Sequence, residues 1–376
     1  MPFKPKFNIS VAMSRNLMVI QEATTTISQL PLPVNIMKEL KRESMLETVI
    51  LSTKLEGNFL DEKRKIAAIS KANDSNEEQE VYNLWKAMEY LDECEKRQLP
   101  ITEELIKKLH AIIDVISSGR RPKLSQYRIV QNKVGEKVSG KIVYLPPEAK
   151  DVPFLMEDLV AWINSPENVY IPAPIKAGIF LYQFLTIHPY MDGNGRTGRA
   201  LATYILKRGG YGLNGVFVLE KYYDRNLKGY YDNLQMGLNH NYYFGRNEAD
   251  ITPWLDFFIS GLAEVFQDAA KIVKEKSEQF TSVEPKLLRV LDIYQRPVFA
   301  QLTFKVNHLN TSDLQKLTGF ADRTIRDKVK KWIEDGFIEP LDPQAQRIRA
   351  IKLAPKYQNL ADEINKEPDK YKYLLR

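Results

Sequence analysis

The chain of 376 residues contains a single cysteine, Cys94, and no long apolar run. One cysteine cannot form an intramolecular disulfide, and its place within a predicted amphipathic helix indicates a structural thiol. No stretch reaches the roughly 18 consecutive apolar residues that a membrane-spanning helix needs, and the first residues lack the apolar core of a signal peptide. We therefore expect a cytoplasmic protein without membrane contact.

A large excess of charge of either sign is also absent. The formal net charge is +6, which permits a nucleotide or nucleic-acid site without requiring one. Hydrophobic residues make up 44% and charged residues 27% of the chain, a balance that argues against disorder. The length predicts two to three domains.

The most informative stretch is HPYMDGNGRTGR, from His188 to Arg199. Apolar residues at helical spacing precede and follow it, so it should link two buried helices. Glycines and a helix N-terminus together make an anion site, and Arg196 and Arg199 suit phosphate oxygens. Asp192 could hold Mg²⁺ together with substrate phosphates, and His188 could accept a proton. The string predicts transfer of a phosphorus-centred group from a nucleotide.

Two other loop types fit this string poorly. A calcium-binding loop would need Asp or Asn where Arg196 stands, two places after Asn194. A P-loop would need Gly-Lys-Ser/Thr, which does not follow. An isolated Asp-Gly-Asn-Gly turn explains only part of the pattern.

The whole string resembles the signature of Fic family proteins, H-x-F-x-D/E-G-N-G-R-x-x-R, with Tyr190 where Phe is usual. The resemblance implies a mainly α fold, the Fido fold, with a short β-hairpin flap. It also implies a protein adenylyltransferase that moves AMP from ATP to a Ser, Thr or Tyr hydroxyl of a target protein and releases pyrophosphate. His188 would be the general base and Asp192 the Mg²⁺ ligand, while Tyr190 would anchor the loop in the core.

The resemblance also implies a set of nucleotide-binding residues. Two tyrosines further along match the family's Tyr-Tyr pair beside the adenine. The implied residues are Gly193, Asn194, Gly195, Arg196, Thr197, Gly198, Arg199, Tyr230 and Tyr231.

A second, shorter motif lies near the N-terminus. Ser44 and Glu47 form a capping-box pattern, which predicts a helix over about 44–57. The segment from Ser52 through Glu56 resembles the inhibitory motif S/T-x-x-x-E-G/N of Fic proteins. The resemblance implies that Glu56 pairs with Arg199 and disturbs the site of the outer phosphates.

Between these motifs, residues 102–117 predict a helix with Thr102 as N-cap, and His110 is interpreted as an ordinary residue of that helix. Residues 140–147 predict a short hairpin strand. The resemblance makes it the flap, where Val143 and Tyr144 would align the target by strand addition. An ordinary surface hairpin fits the same residues.

The predicted domains are an N-terminal helical region over 1–100 that contains the inhibitory helix, a Fic core over 101–280 and a winged-helix-like domain over 283–376. Within the first, 1–37 is expected to be a loose arm, and 60–79 is expected to contain a helix end and an exposed loop. In the last, a basic helix over 322–335 could face DNA phosphates, and protein docking is the alternative. Its basic residues are Arg323, Arg326, Lys328, Lys330 and Lys331.

Other functions stay open at this point. A related enzyme could use another nucleotide or CDP-choline as donor, or could remove AMP. A transcription regulator could use the core to sense nucleotide. The target could be the chain itself, and no sequence feature decides whether it forms a homo-oligomer.

Overall fold

The structure is a computed structural model, and it describes residues 2–30, 32, 34–70, 75–114, 123–135, 142–283, 285–292, 294–345, 348–371 and 374. The described residues are mostly helical. In chain order the helices are α1 (Val11–Gln29), α2 (Val34–Leu55), α3 (Glu62–Ala68), α4 (Asn76–Lys96), α5 (Glu103–Ile113), α6 (Val152–Asn164), α7 (Ala173–Ile187), α8 (Asn194–Arg208), α9 (Glu220–Arg225), α10 (Leu227–Gln235), α11 (Thr252–Val283), α12 (Lys286–Arg289), α13 (Gln295–Phe304), α14 (Thr311–Thr318), α15 (Asp322–Glu334), α16 (Pro355–Ile364) and α17 (Pro368–Tyr371). The strands are β1 (Val134–Gly135), β2 (Ile142–Tyr144), β3 (Leu309–Asn310), β4 (Ile338–Pro340) and β5 (Ala350–Leu353).

The chain divides into two compact units. The first consists of residues 1–29 and 39–272, and the second of residues 30–38 and 273–376. Within the described residues, no helix combines the length and apolar character needed to cross a membrane.

Helices α7 and α8 are the centre of the first unit. Almost every residue of both is buried, because α7 is apolar on all sides and is enclosed by its neighbours. Gly198 lets the two helices approach closely, since a Cβ there would lie only 3.0 Å from Leu181 and 3.1 Å from Phe184. Trp254 of α11 closes the same core and donates from Nε1 to the carbonyl of Gly178 at 2.8 Å. The loop that joins α7 to α8 is therefore held at both ends by buried helices.

The N-terminal region is more ordered than predicted. The expected loose arm contains α1, whose buried stripe is Met13, Ile20, Ala23 and Ile27. The spacing of these four residues is helical, but the prolines on either side of the segment suggested a loop. The predicted start of a helix at Ser44 is also wrong, because α2 already begins at Val34. A capping-box pattern inside a helix has no capping role, since the N–H groups there bond to the preceding turn.

Other boundaries follow the local signals. Thr102 caps α5 as predicted, with its side chain accepting from the N–H of Leu105. The end of the predicted 102–117 helix lies partly outside the described residues, and α5 ends at Ile113. The stretch 60–79, where a helix end and an exposed loop are expected, contains α3 and its buried Lys65.

The second unit pairs helices with a three-stranded antiparallel sheet of order β3-β5-β4. Its apolar core includes Phe299, Trp332, Ile351 and Tyr357. Helix α14 is capped and ends at a glycine: Asn310 and Asp313 form a capping box, and Gly319 is left-handed with φ 71°. Helices α13 and α16 were not predicted.

Candidate active site

His188 lies at the junction between α7 and the loop. Its backbone is left-handed (φ 51°, ψ 60°), and its N–H still donates to the carbonyl of Phe184 at 3.0 Å. Nδ1 lies 3.2 Å from the carbonyl of Leu185, a contact that places the proton on Nδ1 and leaves the lone pair on Nε2. Burial lowers the pKa of His188, which favours the neutral base near pH 7.

The side chain of Asn194 fixes the conformation of the loop between α7 and α8. Oδ1 of Asn194 accepts from the N–H of Tyr190 at 3.0 Å, and its Nδ2 donates to the carbonyl of Tyr190 at 2.8 Å. Asn132 donates to the same carbonyl at 2.9 Å. Gly193 is left-handed (φ 73°) and precedes the first turn of α8, as the glycine pattern predicts. Asn194 thus contributes its side chain to loop shape, and its N–H belongs to the helix start.

Tyr190 is the predicted anchor. Its ring is buried and stacks on His110 with centroids 3.5 Å apart. Within the described residues, its hydroxyl has no hydrogen-bond partner. The aromatic ring therefore packs in the core beside the loop, and no hydrogen bond of its hydroxyl is found within the described residues.

His110 has a larger role than the sequence suggested. Its Nε2 donates to the carbonyl of Asp192 at 2.9 Å, and its Nδ1 accepts from the hydroxyl of Ser125 at 2.8 Å. Burial lowers its pKa, in keeping with a neutral ring that holds the loop in place. No local spacing could have shown this, because His110 and Asp192 are 82 positions apart in the chain.

Arg128 holds the N-terminal end of the loop, at His188 and Pro189. Its Nε donates to the carbonyl of His188 at 3.0 Å, and its backbone N–H donates to the carbonyl of Pro189 at 2.9 Å. Nη2 also donates to the carbonyl of Pro147. This buried guanidinium binds backbone carbonyls, so it fixes the conformation around His188.

Arg199 is paired with the residue that the shorter motif predicts. Nη2 lies 2.8 Å from Oε1 of Glu56, and Nε donates to the hydroxyl of Ser52 at 2.9 Å. Nη2 also donates to the carbonyl of Ser52 at 2.9 Å. Burial lowers the pKa of Arg199, but the carboxylate of Glu56 more than compensates, so its pKa is raised overall. The end of α2 thus lies against the start of α8.

Glu56 also covers the glycine turn. A Cβ built on Gly195 would lie 1.8 Å from Oε1 of Glu56. The carboxylate therefore lies directly outside the backbone of the first turn of α8, where a helix favours an anion.

Arg196 and Asp192 contact each other. Nη2 of Arg196 lies 3.0 Å from Oδ2 of Asp192, and Nη1 lies 3.4 Å from Oε1 of Glu80. The Asp192 side chain is 73% exposed, whereas the Arg196 side chain is 2% exposed. Asp192 can therefore accept a cation from solvent. In the described part of the chain no group of three or more His, Cys, Asp or Glu could hold a metal. This single carboxylate fits Mg²⁺, which usually combines one or two carboxylates with water and substrate phosphates.

Two residues assigned to nucleotide binding face the core instead. Thr197 is fully buried, and its N–H donates to the carbonyl of Gly193 at 2.9 Å. Gly198 is the contact point between α7 and α8. Both residues shape the helix that carries the site.

The two tyrosines of α10 differ in exposure. Tyr230 is buried. Burial raises its pKa and the neighbouring Arg199 partly offsets this, so the pKa is raised to about 12. Tyr231 is 44% exposed, and its hydroxyl donates to the carbonyl of Leu55 at 3.3 Å. Both tyrosines therefore lie beside the contact between α2 and α8.

The predicted flap is a two-stranded hairpin, with Val134 opposite Tyr144. Residues 136–141 of this region lie outside the described residues. The Tyr144 side chain is buried, and its hydroxyl donates to the carbonyl of Thr186 at 2.5 Å. Val143 is half-buried. Alignment of a target by the backbone of Val143 and Tyr144 stays a prediction.

Comparison with known proteins supports this architecture. Residues 100–206 match the model of the Fic/DOC family. The protein adenylyltransferase Fic of Drosophila grimshawi is 25% identical over 284 residues, which are 70% of this chain and 53% of that protein. A crystal structure of a Fic family protein from Desulfovibrio desulfuricans has a TM-score of 0.58 at 23% identity and covers 94% of this chain and 99% of its own. A Fic domain containing signaling protein from Bacteroides thetaiotaomicron has a TM-score of 0.58 at 22% identity, over 69% of this chain and 97% of its own.

Residues 100–206 therefore match the Fic/DOC family, and the mainly α Fic fold predicted from the sequence is confirmed. The signature string lies inside the matched range, whereas Glu56 and Tyr230 lie outside it. The chain spans about half the length of the curated relatives it matches.

Proposed function

We propose that this chain is a protein adenylyltransferase that moves AMP from ATP to a Ser, Thr or Tyr hydroxyl of a protein. The observation that carries the proposal is the position of His188 at the end of α7, with its Nε2 lone pair left available, next to the anion site at the start of α8. Two buried arginines belong to that anion site. The family match and the name of the relatives support the same reaction class.

In the proposed step, the target hydroxyl oxygen attacks the α-phosphorus of ATP. The new bond is between this oxygen and phosphorus, and the bond from the α-phosphorus to the bridging oxygen breaks. Nε2 of His188 takes the hydroxyl proton, and pyrophosphate leaves with the bond electrons. Arg196 and Arg199 stabilise the outer phosphates, and the N-terminal turn of α8 stabilises the α-phosphate. Mg²⁺ held by Asp192 would neutralise part of the phosphate charge.

We further propose that Glu56 inhibits this reaction. The support is geometric: its carboxylate pairs with Arg199 and covers Gly195, so it stands where the donor's phosphates would lie. Tyr231 donates to the last turn of the same helix, so α2, α8 and α10 meet at one place. Removal of the Glu56 side chain would free Arg199 for the donor.

One experiment tests both parts. The wild-type chain, Glu56→Gly and Glu56→Gly/His188→Ala would be incubated with Mg²⁺ and α-³²P-ATP, alone and with host lysate. We expect Glu56→Gly to increase protein labelling, and the added His188→Ala to reduce it by about 10²- to 10⁴-fold. Circular dichroism would establish that all three proteins are folded.

Two controls define the reaction. The label of γ-³²P-ATP should not be transferred, because pyrophosphate leaves; labelled protein in that arm would mean phosphoryl transfer. Unlabelled GTP, UTP and CDP-choline should compete less well than ATP. Undiminished labelling by the His188→Ala protein would refute the base assignment.

A further inference from the structure

Arg196 has an unusual environment. Its side chain is 2% exposed, and within the described residues its Nε and Nη1 have no hydrogen-bond partner. Leaving buried donors unpaired is costly, so they are matched to a ligand that brings acceptor oxygens. Oε1 of Glu80 lies 3.4 Å from Nη1.

Glu80 lies on α4, outside the motif that contains Glu56. Its Oε2 accepts from Nδ2 of Asn58 at 2.9 Å, and the backbone carbonyl of Asn58 accepts from Nζ of Lys65 at 3.0 Å. Asn58 is buried and follows Glu56 by two residues. Glu80 is thereby fixed between Arg196 and the turn that ends the inhibitory helix.

We propose that Glu80 is a second carboxylate that competes with the donor's outer phosphates, holding Arg196 as Glu56 holds Arg199. The inference rests on the proposed function, because it takes Arg196 as a phosphate-binding residue. The two pairs differ in strength: Glu56 is hydrogen-bonded to its arginine at 2.8 Å, whereas Glu80 is a 3.4 Å ion pair. Glu80 therefore has the smaller effect, and it acts also when Glu56 is removed.

The test compares donor affinity in the Glu56→Gly background, where the Glu56 contribution is gone. Glu80→Gln removes the charge and keeps an oxygen that can accept from Asn58. Glu77→Gln is the matched control, because Glu77 is an exposed carboxylate one turn earlier on the same helix. Titration calorimetry would measure the binding of ATP and of AMP with Mg²⁺ and without target protein.

We expect Glu80→Gln to tighten ATP binding about twofold to fivefold, the size expected when a partly exposed ion pair is lost. AMP binding should stay unchanged, because AMP lacks the outer phosphates. Glu77→Gln should change neither. Glu80→Asp, which withdraws the carboxylate by one methylene, should give a smaller gain for ATP and provides a second variant if Glu80→Gln folds poorly.

An unchanged or weaker ATP affinity in Glu80→Gln would overturn the inference, since Glu80 would then be inert or would orient Arg196 for the donor. Equal gains for ATP and AMP would overturn it as well. Failure of the proposed function is distinguishable, because binding is measured without transfer. A selective gain for ATP in a protein that labels no target would leave this inference standing and refute the enzyme.

Discussion

The first turn of α8 and the exposed face of α15 both concentrate basic residues, but they are built differently. In α8 the side chains of Arg196 and Arg199 are 2% and 3% exposed, and each has a carboxylate within 4 Å. In α15 the basic residues Arg323, Arg326 and Lys330 are exposed. Burial makes each guanidinium of α8 depend on an anion, whereas water already satisfies those of α15.

The charge pattern of α15 extends this contrast. Its buried stripe is Ile325, Val329 and Trp332, and Arg326 pairs with Asp322 on the same helix. Asp322, Asp327 and Glu334 also lie on the exposed side, among the basic residues. The basic residues that suggested DNA contact lie on the exposed side of an amphipathic helix, and DNA contact stays a prediction.

The largest expected effect is on stability. Arg199→Leu removes the buried ion pair with Glu56 and the hydrogen bonds to Ser52, so we expect the free energy of unfolding to fall by about 2–4 kcal/mol. Arg323→Leu should change it by less than about 0.5 kcal/mol, because water surrounds that side chain. Urea denaturation would measure each variant on the transition of its own unit. Equal losses of unfolding free energy in the two variants would contradict the claim that the α8 arginine depends on its partners more than the α15 arginine does.

Arg128→Gln should have an intermediate effect, on rate. Its guanidinium holds the carbonyl of His188, so its loss should misplace the imidazole and lower the transfer rate about 10- to 100-fold. ATP affinity should stay within about twofold, because Arg128 contacts no anion site. Steady-state transfer and calorimetry in the Glu56→Gly background would separate the two quantities, with the exposed Lys133→Gln as control. A parallel loss of ATP affinity would contradict a role limited to His188.

The smallest effect is expected from α15. Duplex DNA should bind the full chain no more tightly than about 10⁻⁶ M at physiological salt, and binding should weaken steeply as salt rises. Arg323→Gln/Lys330→Gln should weaken this residual binding only slightly. Fluorescence anisotropy with several duplexes would measure it. Nanomolar, sequence-dependent affinity would instead make the second unit a DNA reader.

Local patterns carried most of what could be predicted. The helix-loop-helix around His188, the left-handed Gly193 and the cap at Thr102 depend on neighbouring residues, so their signals lie in short strings. The pairing of Glu56 with Arg199 depended on resemblance to a family, because nothing local joins residues 143 positions apart.

The remaining features depend on contacts that sequence spacing does not encode. His110 reads as one more residue of α5 until the fold brings the carbonyl of Asp192 to its Nε2. Glu80 reads as a surface acid of α4, yet it lies beside a buried guanidinium. The capping pattern at Ser44 does not start a helix, because α2 begins at Val34 and its preceding turn already accepts the backbone N–H groups near Ser44.

Gly195 has one more consequence. A methyl group at this position would collide with Oε1 of Glu56, since the two atoms would be 1.8 Å apart. Replacement by alanine would thus displace the Glu56 carboxylate. The same methyl group would also narrow the space for a phosphate of the donor. Both the inhibited state and the donor-bound state therefore require a residue without a side chain at position 195, and even alanine is too large.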